Sequence, residues 1–462
     1  MYCAWQKLFM FFDRHFTTPS ITWKQSMGIV IPYVAEHLFT ILFGLLNTGM
    51  ISSSGVTSLS AVSLVDTLNS FLFVFYTGIA TGASVVVANY RGRNDPEKLH
   101  LASIQAVTAV VSLTIITSLF VILFHGPMLT LLFGKAEPEV MQKARLYLLG
   151  STISLPLLGV PTAICGVLRG IGEGKTSLKY TVASTTLYVT LNVLFLSVLD
   201  MGIPGLILSI TLNRVGNLII LLVLLRKTRS QFVFKFREFF HADFSILGSV
   251  VRVGFPCALE QLFFTGGRLI TQTIIVPMGT NAIVTYNIAY SIMLLNQAFA
   301  TPLNSAMFTI TGICMGHGRP QDVRKLTRSY IGLNTAVFIV AIGIVLLFFN
   351  PLTAFYHAPA EVVSLIYHCI IITGIAHPLL HPIGFTLPAV FRAAGDGVYC
   401  TFSTLAIMWI VRVFGGYLLG SVFSMGVLGI WIAMVLDWVV RCIMFPVRFK
   451  GSKWLQKKVI RD

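Results

Sequence analysis

PYVAEHLF (Pro32–Phe39) and PCALEQLF (Pro256–Phe263) repeat one pattern 224 residues apart, and each sets a glutamate inside an otherwise apolar run. At that offset the two halves of the chain superpose without a gap over a long stretch. Pro32 falls on Pro256, Glu36 on Glu260, Leu38 on Leu262, Phe39 on Phe263, Gly55 on Gly279, Gly92 on Gly316 and Pro96 on Pro320. Farther along, LRGIGEGKT (Leu168–Thr176) meets VFRAAGDGVY (Val390–Tyr399) at an offset of 223, pairing Arg169 with Arg392 and Gly172 with Gly395. MGIPG (Met201–Gly205) then meets MGVLG (Met425–Gly429) at 224 again. Self-similarity on this scale marks a duplicated architecture.

The medium in which the duplicated unit folds follows from composition. The chain is 55% hydrophobic and only 11% charged, outside the range of soluble domains. A helix needs about 20 apolar residues to cross roughly 30 Å of hydrocarbon. Twelve such stretches are present, with cores near 27–50, 59–88, 101–124, 146–168, 180–199, 203–225, 253–277, 282–314, 330–349, 363–391, 400–420 and 426–447. The least certain divisions are the short gaps near Asp200 and Gly279. Continuous runs of this length specify helices rather than the alternating segments of a barrel, so the expected class is an all-α integral membrane protein. Six spans per repeat start both halves on the same side of the membrane, which gives two parallel six-helix lobes, one of the recognised transporter architectures. The expected layout is an N-terminal segment at 1–26, an N-lobe at 27–226, a linker at 227–252, a C-lobe at 253–447 and a tail at 448–462. MYCAWQKLFMFFDRHF at the N-terminus lacks the clean apolar core and small-residue site of a cleavable signal. It reads as an interfacial segment or as a disordered tail.

Lysine and arginine concentrate in alternate loops. The N-terminus, the segments after spans 2, 4 and 8, the central connection and the tail are basic, and only the loop after span 3 (Lys135, Lys143, Arg145) breaks the pattern. The positive-inside rule therefore expects both termini in the cytoplasm of a cell membrane protein. A net charge of +16 spread over such loops fits an anionic leaflet and calls for no nucleic acid. The seven cysteines are scattered without metal-ligand spacing, as expected of reduced packing residues.

Chemistry is expected where polar groups enter the hydrocarbon. Glu36 lies nine residues into its span, roughly 14 Å deep at 1.5 Å per residue, and Glu260 takes the matching place in span 7. An ionised carboxylate there costs at least about 2.5 kcal/mol unless it meets a partner, a cavity or a proton. Both are therefore candidates for exchange of a proton, a sodium ion or a cationic substrate. The structural alternative is a buried salt bridge, with Arg268 the nearby candidate for Glu260 and no local cation for Glu36. Pro32 and Pro256, four residues earlier, permit a bend or free a carbonyl as a ligand. Further candidates are His37, Asn47, Asp66, Gln261 and Asn287. Asp437 and Arg441, at i and i+4, are expected to pair structurally. His377 and His381 share a face but lack an evident third metal ligand. The chain contains no Walker loop, so ATP hydrolysis is not expected as the energy source, and no dinucleotide fingerprint followed by a strand pattern.

GVTSLSAVSL, followed by GIATGASVVVANYRGRNDPEK (Gly78–Lys98), the twin LRGIGEGK and FRAAGDG motifs, and WIAMVLDWVVRCIMFPVRFKGSKW (Trp431–Trp454) together resemble the multidrug and toxic compound extrusion (MATE) family over nearly the whole chain. The resemblance implies two six-helix lobes in a V shape. It also implies efflux of organic cations or other amphipathic small molecules in exchange for sodium or protons, by a chain working as a monomer among membrane lipids, with no other cofactor. The chain departs from the family pattern in places. Asn47, in LLNT, stands where many members carry an aspartate, and Phe264 stands where sodium-linked members place an acid. Asn89 and Ile313 replace the usual glutamine. The leading expectation is a secondary active exporter, not an enzyme, with Glu36 and Glu260 as switches. The alternatives are a lipid-linked sugar flippase, for which the span arginines Arg214, Arg268 and Arg412 are few, and an intramembrane transferase drawing on His377, His381 and Asp66.

Overall fold

The structure, a computed structural model, describes residues 10, 12–51, 56–133, 138–227, 243–356, 358–456 and 459, with the backbone alone at 42–51, 56–60, 63, 132 and 133. Among the described residues all regular structure is helical. The first half contributes α1 (Trp23–Ile51), α2 (Val56–Gly92), α3 (Pro96–Phe133), α4a (Pro138–Ile153) with α4b (Leu155–Gly170), α5 (Gly174–Asn192) and α6 (Gly202–Lys227). The second contributes α7 (Phe244–Ile275), α8a (Thr280–Gln297) with α8b (Ala300–Gly316), α9 (Pro320–Leu347), α10 (Ala360–Ala393), α11 (Gly397–Ile407) and α12 (Gly426–Lys450). A short helix, Phe349–Phe355, follows α9. Nine helices among the described residues are long and apolar enough to cross a membrane, and the pairs α4a–α4b and α8a–α8b, bent by 50° and 47°, bring the number to eleven. With the 29-residue α1 they account for all twelve apolar stretches of the sequence.

The turns carry the duplication into the backbone. Left-handed residues end helices at matching places in the two halves: Asn94 (φ 55°) and Gly318 (φ 71°), Gly172 (φ 77°) and Gly395 (φ 96°), and Asp200 (φ 46°) and Ser424 (φ 56°). A single residue of that conformation stops a right-handed helix. The two divisions left least certain by hydropathy are therefore real breaks, at Asp200 and at Gly279 (φ 96°). Before the first of them α5 runs on through a wider π turn, Val193–Val198, and α11 likewise continues through such turns to Val422.

Two compact units result, Ile31–Ala258 with Ile460–Asp462, and Met1–Val30 with Leu259–Val459. The boundaries fall inside α1 and α7, within two residues of Pro32 and Pro256, and both helices run through their prolines. In the first unit, backbone approach depends on glycine. A Cβ on Gly78 of α2 would overlap Ala258 of α7, and one on Gly82 would overlap the backbone of Gly254. On α4b, Gly166 and Gly170 would place a Cβ 2.7 and 2.6 Å from the carbonyl oxygens of Ala80 and Ser84. Lipid tails are as apolar as leucine, so close backbone packing replaces water exclusion as the force between spans. Val62, Val65, Val121, Leu129, Tyr147, Leu148 and Leu206 belong to an apolar core of the same unit.

In the second unit, Trp431 is fully buried and donates through Nε1 to Cys369 O at 2.8 Å and Thr373 Oγ1 at 2.9 Å, satisfying its one donor. The segment before α1 packs on α9: Ser20 N donates to Asp322 at 3.1 Å, Lys325 Nζ to Thr17 O at 2.9 Å, and Phe16 meets Tyr330 edge-on. From residue 12 onward the N-terminal stretch is thus docked against protein, whereas residues 1–9 and 11 lie outside the described residues.

Replacing Gly82 by valine forces α2 and α7 apart. The expected outcome is a loss of about 3 kcal/mol, read as a lower melting temperature of the detergent-purified protein, with Gly248→Ala, which meets open space, near neutral.

Candidate functional site

Each of the twin glutamates sits in an ion pair that the primary structure spreads over more than 130 positions. In the unit Ile31–Ala258, Arg169 Nη2 donates to Glu36 Oε1 at 2.7 Å, Thr181 Oγ1 to the same oxygen at 3.0 Å, and Ser177 Oγ to Oε2 at 3.3 Å. Arg169 belongs to the last turn of α4b and stacks over the Tyr33 ring at 5.7 Å. Ser177 and Thr181, at i and i+4, share one face of α5. The tight turn between the two helices needs Gly172 both for its left-handed backbone and because the Arg91 guanidinium occupies the place of a Cβ.

The other unit repeats the arrangement with fewer donors. Arg392 Nη2, in the last turn of α10, donates to Glu260 Oε1 at 2.8 Å, and both side chains are 13% exposed. Ser177 and Thr181 correspond to Cys400 and Thr404 at the offset of 223. Cys400 gives its weak donor to Pro388 O at 3.5 Å, while Glu260 Oε2 and Thr404 Oγ1 are buried without a hydrogen-bond partner among the described residues. Arg268, the cation expected beside Glu260, instead lies over Tyr290 at 5.2 Å. Glu36, for which no local cation was expected, finds its partner in Arg169 of a distant helix. Hydropathy could not show this, yet the repeat could have: an arginine pair and a glutamate pair kept at nearly equal offsets are compatible with mutual contact.

Asp66 anchors a different place in the same unit as Glu36. It is 25 residues before Arg91 on α2, roughly 37 Å along the axis at 1.5 Å per residue. There a cavity of about 590 Å³ is lined by polar side chains including Asp66, Asn69, Asn213, Arg214 and Asn217, with Tyr147 and Tyr188. Tyr147 Oη donates to Asp66 Oδ1 at 2.8 Å. Arg214 Nη1 donates to Ser151 O and Ser154 Oγ, both at 2.5 Å, satisfying groups at the break between α4a and α4b. Asp66 has no cationic partner among the described residues, and the amide oxygens of Asn69, Asn213 and Asn217 are buried without partners. The structure thus unites Asp66 with groups of α4, α5 and α6 that sequence reasoning left unmarked, apart from counting Arg214 among the span arginines.

The remaining candidates stand apart. His37 is half-buried, Gln261 and Asn287 are exposed, and the side chain of Asn47 lies outside the described residues. Asp437 and Arg441 pair at 3.0 Å within α12, fully buried. His377 is hydrogen-bonded to Asn296 at 2.7 Å and Gln297 at 3.2 Å, and His381 stacks on Phe385. No group of three metal-ligating side chains occurs among the described residues. Cys165, Cys257, Cys314, Cys369 and Cys400 are buried and form no disulfide among the described residues.

The MatE family model matches the chain twice, at residues 32–194 and 256–418, so its two copies begin at Pro32 and Pro256. The chain belongs to the MatE family, a family of multi-pass membrane transporters. Among its relatives, a probable multidrug resistance protein NorM of Thermotoga maritima is 24% identical over 450 residues, covering 95% of this chain and 94% of the relative. An uncharacterized transporter, YisQ, of Bacillus subtilis is 24% identical over 96% of both chains, and a multidrug resistance protein MdtK of Edwardsiella ictaluri is 20% identical over 94% of this chain and 97% of the relative. The fold matches a multidrug resistance MATE family transporter in an outward-facing conformation with a TM-score of 0.85 at 20% identity, covering 94% and 97% of the two chains. It matches a MATE structure in a bent conformation at 0.84 and 19%, covering 93% and 96%.

Glu260→Gln leaves Arg392 without its counter-charge in a place 13% exposed. The expected cost is roughly 3 kcal/mol, seen as a lower melting temperature. The double variant Glu260→Leu/Arg392→Met should recover most of that loss, which neither single change does.

Proposed function

We propose that this transporter exports amphipathic small molecules by antiport, with sodium or protons entering as the substrate leaves, from a multi-pass position in the cell membrane with both termini in the cytoplasm. The names of the relatives support efflux of drugs, and the basic loops support the orientation. The observation that carries the exchange site is Asp66, a carboxylate at a cavity whose charge no arginine, lysine or histidine among the described residues neutralises.

In this reading the acidic candidates divide their roles. Glu36 accepts from a guanidinium and two hydroxyls, so its charge and lone pairs are already met, and releasing Arg169 would strand a cation in the spans. Glu260 is tied in the same way to Arg392. These two pairs brace α1 to α4b and α5, and α7 to α10. Asp66 is held only by neutral donors, and although Arg214 lines the same cavity no ion pair joins the two among the described residues, so the carboxylate is open to an incoming sodium ion or proton. A carboxylate in such a place binds either the coupling ion or a cationic group of the substrate, and that competition is the elementary requirement of antiport. The coupling ion would displace the substrate on one side of the membrane and be displaced by it on the other. The chain works as a monomer and needs no cofactor beyond that ion.

The test is uptake of a fluorescent organic cation into inside-out proteoliposomes, with sodium and proton gradients imposed separately. Acceleration by one gradient is expected, and Asp66→Asn should reduce the gradient-driven rate tenfold or more while the melting temperature stays within a few degrees. Wild-type coupling in Asp66→Asn, together with loss of coupling in a stably folded Glu36→Gln or Glu260→Gln, would return the exchange role to the twin glutamates.

A further inference from the structure

The cavity beside Asp66 holds two opposite charges that do not meet. Asp66 accepts a hydrogen bond from Tyr147, and among the described residues Arg214 donates through a single nitrogen, Nη1, to Ser151 and Ser154. No ion pair joins the two among the described residues, although both line the same 590 Å³. A guanidinium has five N–H donors in a planar fork, and among the described residues Nε and Nη2 of Arg214 make no hydrogen bond. Asn213 and Asn217 line the same cavity, and their Oδ1 atoms have no hydrogen-bond partner among the described residues. Asn217 is itself 5% exposed, so its amide is built into the wall rather than solvated. Phe73, Val74, Leu155 and Leu158 supply apolar lining.

The duplicated half shows that this polarity is not required by the fold. At the offset of 224, Arg214 corresponds to Trp438, which is 1% exposed within an apolar core, and Asp66 corresponds to Tyr290. Asn213 and Asn217 correspond to Asp437 and Arg441, which close on each other as an ion pair. The same helix positions that neutralise themselves in one half therefore keep their polar capacity open in the other.

We propose that the cavity selects zwitterionic amphipaths, with a cationic nitrogen centre at Asp66, a carboxylate at the fork of Arg214 and an apolar body between them. Arg214 is then the specificity-determining residue. The inference rests on the exporter reading only in taking the ligand to be cargo. A lone organic cation finds one pole and meets repulsion from the other, whereas a zwitterion satisfies both, and a charge-assisted hydrogen bond to a carboxylate is worth a tenfold or greater change in affinity.

The experiment is fluorescence anisotropy on purified full-length protein in detergent, without any gradient, comparing rhodamine B, a zwitterion, with its ethyl ester, which keeps the cation and the ring system. The wild type is expected to bind rhodamine B at least tenfold more tightly and at one site per chain. Arg214→Gln should narrow the preference to twofold or less, Arg214→Lys should restore part of it, and Asp66→Asn should weaken both dyes. Because Arg214 also braces the α4 break, Leu158→Trp, which fills the cavity without touching that brace, serves as a second variant and should weaken both dyes. Equal affinity of the wild type for the two dyes, or a preference unchanged in a folded Arg214→Gln, would overturn the proposal. Loss of gradient-driven transport with the dye preference intact would overturn the exporter reading alone.

Discussion

An ionised side chain in a span has few stable arrangements, and this constraint organises both halves of the molecule. Water is absent as a partner, so the charge must be met by the protein itself, and an unpaired one costs several kcal/mol. The chain meets it twice in the same way, with a glutamate of the first helix of each half and an arginine in the last turn of the fourth, at 2.7 and 2.8 Å. The bond ties the start of each half to its middle. It also explains why the turn after that arginine is kept so tight, since the left-handed Gly172 and Gly395 each lie three residues after the arginine and two before the fifth helix of their half.

Glycine makes this geometry accessible. The α2–α7 and α2–α4b approaches bring backbone to backbone at Gly78, Gly82, Gly166 and Gly170, so helix positions are fixed by shape rather than by side-chain volume. A frame set in this way leaves the helix faces elsewhere free to differ, and the two halves use that freedom differently. In the second half, α12 spends its polar residues on one internal ion pair and fills the remainder with Trp431 and Trp438. In the first half, α6 places asparagines and an arginine at corresponding positions, and the result is a polar cavity instead of a core. Function in this reading arises where the duplication has been broken, while stability arises where it has been kept.

The apolar runs and the repeat determined the class, the twelve helices and the twofold plan of the chain, because span length and the offset of 224 are local, one-dimensional properties. Sequence also marked Glu36, Glu260 and Asp66 as groups that must be explained, since their cost in hydrocarbon does not depend on the details of packing. What it could not determine was who meets whom. Arg169 and Arg392 lie 133 and 132 positions from their glutamates, and Arg268, closer in the chain, turns to an aromatic ring instead. The contrast between a neutralised Glu36 and an Asp66 left with neutral donors was decided by the tertiary structure alone. That distinction depends on which helix faces converge, and convergence is set by glycine contacts and turn geometry that no single stretch of sequence contains.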